Sequence, residues 1–128
     1  MSAVRYGSLI NKEAAKSSFE GMNSADFRHG PLELVTKELV ALIFAGSRST
    51  ASLNRKLGLE INSYGGRVLW ADSVPDEDLP SMLMAKTSEF ARPIAEALPV
   101  QMLTLLMARR KGLQAGQFQY VGKVTDRE

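Results

Sequence analysis

The segment Arg28-His29-Gly30-Pro31 contains the only histidine of the chain. Imidazole changes its protonation near neutral pH, so it can take up and release a proton during catalysis. The glycine and proline that follow favour a turn, where a side chain remains accessible to ligands. On residue types alone, His29 is a candidate general acid–base group. The alternative is a turn histidine that donates a hydrogen bond to a backbone carbonyl.

A second candidate site is the segment GSRSTASL, residues 46–53, which follows an apolar run and leads into a helical pattern. Its hydroxyl groups include those of Ser47, Ser49 and Thr50. A strand followed by a hydroxyl-rich loop and a helix binds phosphate through backbone N–H groups and the helix N-terminus. Simple capping of the helix by Ser49 or Thr50 is the alternative.

The elements that must position these residues are predicted from the periodicity of apolar side chains and from stop signals. The first half of the chain predicts an amphipathic helix near the N-terminus, a short extended piece (18–22), a brief helix that begins at Ser24 and stops at Gly30, and a strand (39–45). The strand 39–45 is apolar without alternation, which is typical of burial on both faces.

The second half predicts a helix from about Thr50 to Ser63 that ends at two glycines, a strand (67–71), an acidic surface loop (72–81) and a last strand within MLMAKT. Pro93 then begins a long helix with an apolar stripe. Pro99 lies inside this helix, and we expect it to kink the helix or to begin a second segment.

This alternation of strands and helices predicts a three-layer α/β/α sandwich with a mainly parallel sheet. In such sheets, ligands bind beyond the carboxyl ends of the strands. Three loops qualify by this rule, and they are residues 22–31, 46–50 and 72–78. We therefore expect His29 to lie at the carboxyl edge of the sheet.

Composition limits the possible functions. The 128 residues fit one small domain, and 16 basic and 14 acidic side chains are interleaved along the chain, which disfavours a nucleic-acid-binding face. The absence of cysteine excludes disulfides and thiolate chemistry, and a single histidine disfavours a zinc site. No apolar stretch reaches membrane-spanning length. We expect a cytoplasmic protein with no metal, no cofactor, no nucleic-acid partner and no membrane partner.

Five segments together carry a family resemblance: KEAAKSSFEGMNSADFRHGPLELV, LVALIFAG, YGGRVLWADS, RPIAEALPVQMLTLLMARRKG and GQFQYVGKVT. From about Gly7 to the C-terminus, the chain resembles the sugar isomerase (SIS) domain. It is most similar to the second of the two SIS domains in the isomerase half of glutamine–fructose-6-phosphate aminotransferase and its sugar-phosphate isomerase and deglycase relatives.

The resemblance implies three catalytic residues. Glu13 matches the glutamate that moves a proton between C1 and C2 of the open-chain sugar. His29 matches the histidine that opens the sugar ring and reaches into the partner subunit's site. Lys123 matches the lysine of the C-terminal tail, which lies over the substrate and can stabilise the enediolate by its charge.

Two further residues are candidates for substrate binding, each with an alternative. Glu20, predicted to lie on a strand, either binds substrate or orients the loop that carries His29. Arg28 either attracts the phosphate group or pairs with Asp26 or Glu33 at the surface.

The chain also departs from the family pattern. The segment before Gly7 is too short for the family's first strand, and the first SIS domain is not represented, so we expect residues 1–128 to form a single partial SIS domain with an irregular tail at 113–128. We expect a phosphorylated sugar as ligand and a homodimer or higher homo-oligomer, with a separate SIS-domain subunit as a further possible partner. Three functions stay open: an isomerase or deglycase active only as an assembly, a sugar-phosphate-binding or regulatory module, and an inactive enzyme half.

Overall fold

The computed structural model of the protein describes residues 2–120. Four α-helices, one short 3₁₀ helix and three strands form in this part of the chain. In chain order they are α1 (Ser2–Ala14), α2 (Ser24–Arg28), the 3₁₀ helix (Pro31–Leu34), β1 (Val40–Phe44), α3 (Ala51–Ser63), β2 (Arg67–Asp72), β3 (Ser81–Leu83) and α4 (Arg92–Arg110).

The three strands form one parallel sheet in the order β1-β2-β3. In the register between β1 and β2, Val40 lies opposite Arg67 and Phe44 lies opposite Ala71. α3 connects these two strands, as a parallel pair requires a crossover. The predicted α/β class and the parallel sheet are confirmed.

Two compact units divide the described residues. Residues 22–96 contain the sheet, α2, the 3₁₀ helix, α3 and the first residues of α4. Their core forms where α3 covers the sheet, because Leu57 and Ile61 lie one helical turn apart and both face inward, toward Trp70 among others. The remaining buried members of this core are Ile43, Ala45, Val68 and Leu79.

The other unit contains residues 2–21 and 97–120, with α1 and most of α4. A Cβ on Gly7 would lie 2.9 Å from a methyl of Val100, so glycine permits the two helices to approach closely. Beyond α4, Lys111 donates hydrogen bonds to the Lys16 carbonyl (2.8 Å) and to the Ser17 hydroxyl (2.7 Å). These bonds connect the residues that follow α1 to the residues that follow α4.

Three expectations about elements need correction. Residues 18–22 do not form a strand; the carbonyl of Phe19 instead accepts a hydrogen bond from the hydroxyl of Ser8 on α1 at 2.8 Å. α4 runs as one helix through Pro99, so the prediction of a second segment is wrong. β1 is an edge strand among the described residues, and Val40 is 64% exposed, so burial on both faces is also wrong.

Candidate functional site

A cavity of about 620 Å³ opens at the carboxyl edge of the sheet, within the unit of residues 22–96. Segments that follow all three strands line it, together with the start of α4. The lining residues are Gly46, Arg48, Ala51, Asp72, Ser73, Val74, Met84, Ala85, Lys86, Thr87, Ser88, Glu89, Arg92 and Ala95. Two of the three loops expected at this edge, 46–50 and 72–78, therefore do reach it.

Backbone geometry explains how the first of these loops turns away from its strand. Gly46 has φ +77°, a left-handed conformation that disfavours any residue with a Cβ. A Cβ at this position would also lie 2.7 Å from the Thr50 hydroxyl oxygen. The side chain of Asn54, in the first turn of α3, donates to the carbonyl of Ala45 at 2.9 Å. Gly46 and Asn54 together fix the path of the loop.

The hydroxyl groups of the loop bond mainly to one another. The Ser47 hydroxyl lies 2.8 Å from that of Ser49 and 3.2 Å from that of Thr50, which in turn donates to the Ser47 carbonyl at 3.2 Å. Thr50 occupies the N-cap position of α3 without a capping bond from its side chain. The residues of this loop that line the cavity are Gly46 and Arg48, so the three hydroxyl residues are not brought into it.

Three cationic side chains line the cavity, those of Arg48, Lys86 and Arg92. None of them takes part in an ion pair within residues 2–120. The Nε of Arg92 is buried and has no hydrogen-bond partner in this part of the chain. Burial raises the pKa of Glu96, one turn along α4, while the positive charge of Arg92 acts in the opposite direction. Two acidic side chains, Asp72 and Glu89, line the same cavity, so its charges are of both signs with one more basic than acidic side chain.

A separate ion-pair cluster holds the acidic loop between β2 and β3. The Arg55 guanidinium on α3 contacts the carboxylates of Asp76 at 2.5 Å and Asp78 at 2.6 Å. The Asp76 carboxylate also accepts from the backbone N–H groups of Asp78 (2.9 Å) and Leu79 (3.1 Å). The hydrogen bond from Arg55 is the main reason that the pKa of Asp76 is lowered from its ordinary value.

His29 is not at the carboxyl edge, contrary to the expectation from the sequence. The Ser24 hydroxyl, at the start of α2, bonds to Asn54 in the first turn of α3 (2.6 Å), whereas Arg28 pairs with Glu60 in the last turn of α3. α2 thus runs along α3 toward the amino edge, where His29 follows as an exposed residue. The physical reason is that α2 and the 3₁₀ helix are not preceded by a strand that would begin them at the carboxyl edge.

The partner of Arg28 also differs from the expected ones. Its guanidinium forms an ion pair with Glu60 rather than with Asp26 or Glu33. Asp26 lies in the first turn of α2, where its backbone N–H donates a hydrogen bond to the side chain of Asn23 at 2.8 Å. The ion pair positions the residue next to His29.

Two other predicted site residues, Glu13 and Glu20, are not among those that line the cavity. Glu13 is exposed in the last turn of α1, within the unit that contains residues 2–21. Glu20 is exposed as well and lies in a segment without a strand, so its predicted strand position is wrong. Lys123 lies outside the described residues.

Most of the residues that line the cavity were not among the site residues predicted from the sequence. Lys86 and Arg92 were not recognised as candidates, although Lys86 follows the last strand and Arg92 immediately precedes the proline of α4. Their positions, after the carboxyl end of a parallel strand and at the start of a helix, could have identified them as candidates from the sequence. Within residues 2–120, no group of three or more possible metal-ligating side chains occurs, and no helix is long and apolar enough to cross a membrane.

Comparison with known proteins gives a consistent set of relatives. No protein-family model matches the chain. The glutamine–fructose-6-phosphate aminotransferase (isomerizing) of Buchnera aphidicola is 28% identical over 120 residues, covering 91% of this chain and 20% of that protein. The enzyme of the same name from Vibrio cholerae is 28% identical over 115 residues, covering 86% of this chain and 19% of that protein. The chain therefore spans about a fifth of the length of these relatives.

Solved structures agree with the sequence matches. The C-terminal domain of glucosamine-fructose-6-phosphate aminotransferase from Francisella tularensis superposes with a TM-score of 0.76 at 23% identity, covering 88% of this chain and 33% of that one. A putative phosphosugar isomerase from Silicibacter pomeroyi gives the same TM-score at 17% identity, covering 88% and 34%. Over most of its length the chain is thus related to the glutamine–fructose-6-phosphate aminotransferases, and it has the α/β fold of a sugar isomerase (SIS) domain.

Proposed function

We propose that the chain acts on a phosphorylated sugar, as an aldose–ketose isomerase or deglycase whose site is completed by assembly. The observation that carries this proposal is the match to isomerizing aminotransferases over 91% of the chain. The roles of Glu13 and His29 are carried over from the family resemblance. The fold shared with a putative phosphosugar isomerase supports the same class of substrate.

In the proposed reaction, the Glu13 carboxylate removes the proton from C2 of the open-chain aldose and returns it to C1. The electron pair of the C2–H bond forms the C1=C2 double bond of the enediol while the C1 carbonyl oxygen takes up a proton. The C2 hydroxyl then loses its proton and becomes the ketose carbonyl, and the electron pair of the double bond takes the proton at C1. An exposed carboxylate at the end of α1 is accessible to a substrate held between chains. Lys123, carried over from the resemblance, would stabilise the negative charge that develops on the enediolate oxygens.

His29 is proposed to open the sugar ring before this step. Its imidazole takes the proton from the anomeric hydroxyl and gives a proton to the ring oxygen. The exposed position of His29 and the ion pair between Arg28 and Glu60 support a fixed but accessible imidazole. The amino edge is remote from the cavity at the carboxyl edge, which favours a role in the site of a second subunit.

We expect His29→Asn to slow the turnover of cyclic hexose 6-phosphates by about 10²-fold or more, because general acid–base catalysis typically contributes this much. Open-chain analogues should lose much less activity, since they need no ring opening. Steady-state assays on both substrate forms measure the difference. Equal losses on the two forms would show that His29 has another role.

The proposed assembly is a homodimer or higher homo-oligomer. Five large apolar side chains are exposed on α4, namely Ile94, Leu98, Met102, Leu105 and Leu106, each with at least 58% of its surface accessible. β1 pairs on one side only within the described residues, so its other edge carries backbone groups that a second chain can cover. A two-fold dimer is the simplest arrangement that buries such surfaces.

Light scattering after size exclusion, at micromolar concentration, tests the assembly directly. We expect the mass of two or more chains, whereas a stable 14.0 kDa monomer would contradict the proposal. Leu98→Glu and Leu105→Glu should shift the protein toward the monomer, because each places a charge on the exposed face of α4. Lys56→Glu, which exchanges an exposed charge on α3, is the control and should leave the mass unchanged.

A sugar-phosphate-binding module without turnover is the second candidate function. The cationic cavity at the carboxyl edge favours it, because this cavity is formed without Glu13 or His29. A chain that binds a hexose 6-phosphate but never converts it would support this second function.

A further inference from the structure

α2 is too short to be stable alone, so its position depends on contacts with the rest of its unit. It has five residues, Ser24–Arg28, and none of them is buried. Helices shorter than about 12 residues are marginal on their own in water. His29 follows α2 directly, donates its backbone N–H to the Asp26 carbonyl at 3.1 Å and is exposed. The position of His29 is therefore set by the contacts that hold α2.

Two polar contacts join α2 to α3, one at each end of the short helix. At its start, the Ser24 hydroxyl donates a hydrogen bond to the Asn54 side-chain oxygen at 2.6 Å. At its end, the Arg28 guanidinium forms an ion pair with the Glu60 carboxylate. Phe27 in addition packs against the core that α3 and the sheet share. Of these contacts, the ion pair is the one made by the residue that ends α2.

The ion pair is partly shielded from water and has one rigid member. The side chains of Arg28 and Glu60 are 34% and 30% exposed, whereas the ion pairs that contribute least to stability are those fully in solvent. Glu60 lies in the last turn of the 13-residue helix α3, and the next residue, Ile61, is 1% exposed in the core. A carboxylate on a firmly packed helix thus holds the end of a short one.

Arg28 pairs with Glu60 across 32 residues, although two acidic residues are nearer in sequence. The carboxylate of Asp26 instead accepts a hydrogen bond from the side-chain amide of Asn23. Glu33 is exposed on the 3₁₀ helix and forms no ion pair within residues 2–120. Glu60 is therefore the acidic residue of the described chain that acts on Arg28, and Glu33 is a natural control for it.

We propose that Glu60 is a positioning residue for His29, because through Arg28 it holds the end of α2 and so fixes where the imidazole is presented. The inference rests on the proposed function, in which His29 opens the sugar ring. A general acid–base group must lie within hydrogen-bond reach of the atoms it serves, and a displacement of about 1 Å can lower a rate by about 10²-fold. An exposed imidazole has no packing of its own to prevent such a displacement.

Nitrogen-15 relaxation of the full chain tests the positioning without any need for turnover. We expect Glu60→Ala to lower the order parameter of the His29 backbone N–H from about 0.85, typical of rigid backbone, to below about 0.6. The side-chain signals of His29 should sharpen as well, and they are free of overlap because it is the only histidine. Glu33→Ala removes an acid close to His29 in sequence and should leave both readouts unchanged.

Arg28→Ala and the double variant Arg28→Ala/Glu60→Ala complete a double-mutant cycle. If Glu60 acts through Arg28, the double variant should be no more mobile at His29 than either single variant, whereas additive increases would overturn the proposal. Ser24→Ala releases the opposite end of α2 and should affect His29 less. Arg28→Ala removes the same contact, so it keeps the test valid if Glu60→Ala fails to fold. A His29 that stays rigid in these variants would overturn the positioning role.

Turnover gives a second readout, which a purely structural role of Glu60 would not produce. Glu60→Ala should lower kcat on cyclic hexose 6-phosphates at least about tenfold and on open-chain analogues by less than about twofold, since only ring opening uses His29. Equal losses on the two substrate forms, or no loss, would overturn the proposal. An unmodified chain that converts neither form refutes the proposed function, and the relaxation data then still decide whether Glu60 positions His29.

Discussion

Replacing Glu13 by Gln should reduce isomerisation of a hexose 6-phosphate by about 10²- to 10⁴-fold, the range that a general base contributes. The amide has nearly the same shape as the carboxylate but cannot accept the C2 proton. Glu13 is exposed and its side chain forms no ion pair within residues 2–120, so the substitution should not disturb folding. Initial rates at saturating substrate, on the assembled protein, give the comparison.

Glu38→Gln is the matched control for this experiment. Glu38 is also exposed, and it lies in the turn before β1, in the other compact unit. Its substitution should leave the rate within about twofold of the original. If Glu13→Gln and Glu38→Gln behave alike, the proton transfer proceeds through another group and the role assigned to Glu13 is wrong.

The largest effect on stability is expected for Ile61→Ala. Ile61 is 1% exposed and is among the largest fully buried side chains of the described residues. Removing three carbons from a packed core costs the transfer free energy of those atoms and leaves a cavity, so the free energy of unfolding should fall by about 2–5 kcal/mol. α3 would then pack less tightly against the sheet.

Urea unfolding followed by tryptophan fluorescence measures this change, because Trp70 is the only tryptophan and is a buried neighbour in the same core. Leu53→Ala is the control on the same helix. Leu53 is 61% exposed, so its substitution should cost less than about 0.5 kcal/mol. Similar losses for Ile61→Ala and Leu53→Ala would contradict the assigned core.

The sequence predicted α3 and the strands beside it well because their signals are local. Leu57 and Ile61 are spaced for one helix face, and Gly65-Gly66 marks the end of that helix within two residues of its observed end at Ser63. The loops after β1 and β2 were placed at the carboxyl edge by the rule for parallel strands. Such patterns state where an element begins and stops, whereas the burial of β1 on both faces, predicted from the same kind of pattern, was wrong.

The position of His29 was not predictable in the same way. It depends on which way α2 runs along α3, and that is decided by contacts from Ser24 to Asn54 and from Arg28 to Glu60. These pairs are 30 and 32 residues apart in sequence, and no local pattern distinguishes them from the nearer pair Arg28–Asp26.

The cationic cavity was missed for a related reason. Arg48, Lys86 and Arg92 come from three separate segments, and each alone is an ordinary surface cation. The order β1-β2-β3 brings those segments to one edge of the sheet. The loop after β1 was expected to contribute hydroxyl groups, but these bond to one another, and Arg48 is the side chain of that loop that lines the cavity.

The central claim is that the chain, when assembled, forms an enediol from a phosphorylated sugar. Incubation with glucose 6-phosphate or fructose 6-phosphate in D₂O, followed by proton NMR, tests it most directly, because the proton held by the base exchanges with solvent deuterium over repeated turnover. We predict loss of the C2 proton signal of the aldose with the unmodified chain and retention of that signal with Glu13→Gln. Retention with the assembled, unmodified chain, under conditions where titration shows the sugar phosphate bound, would contradict the account.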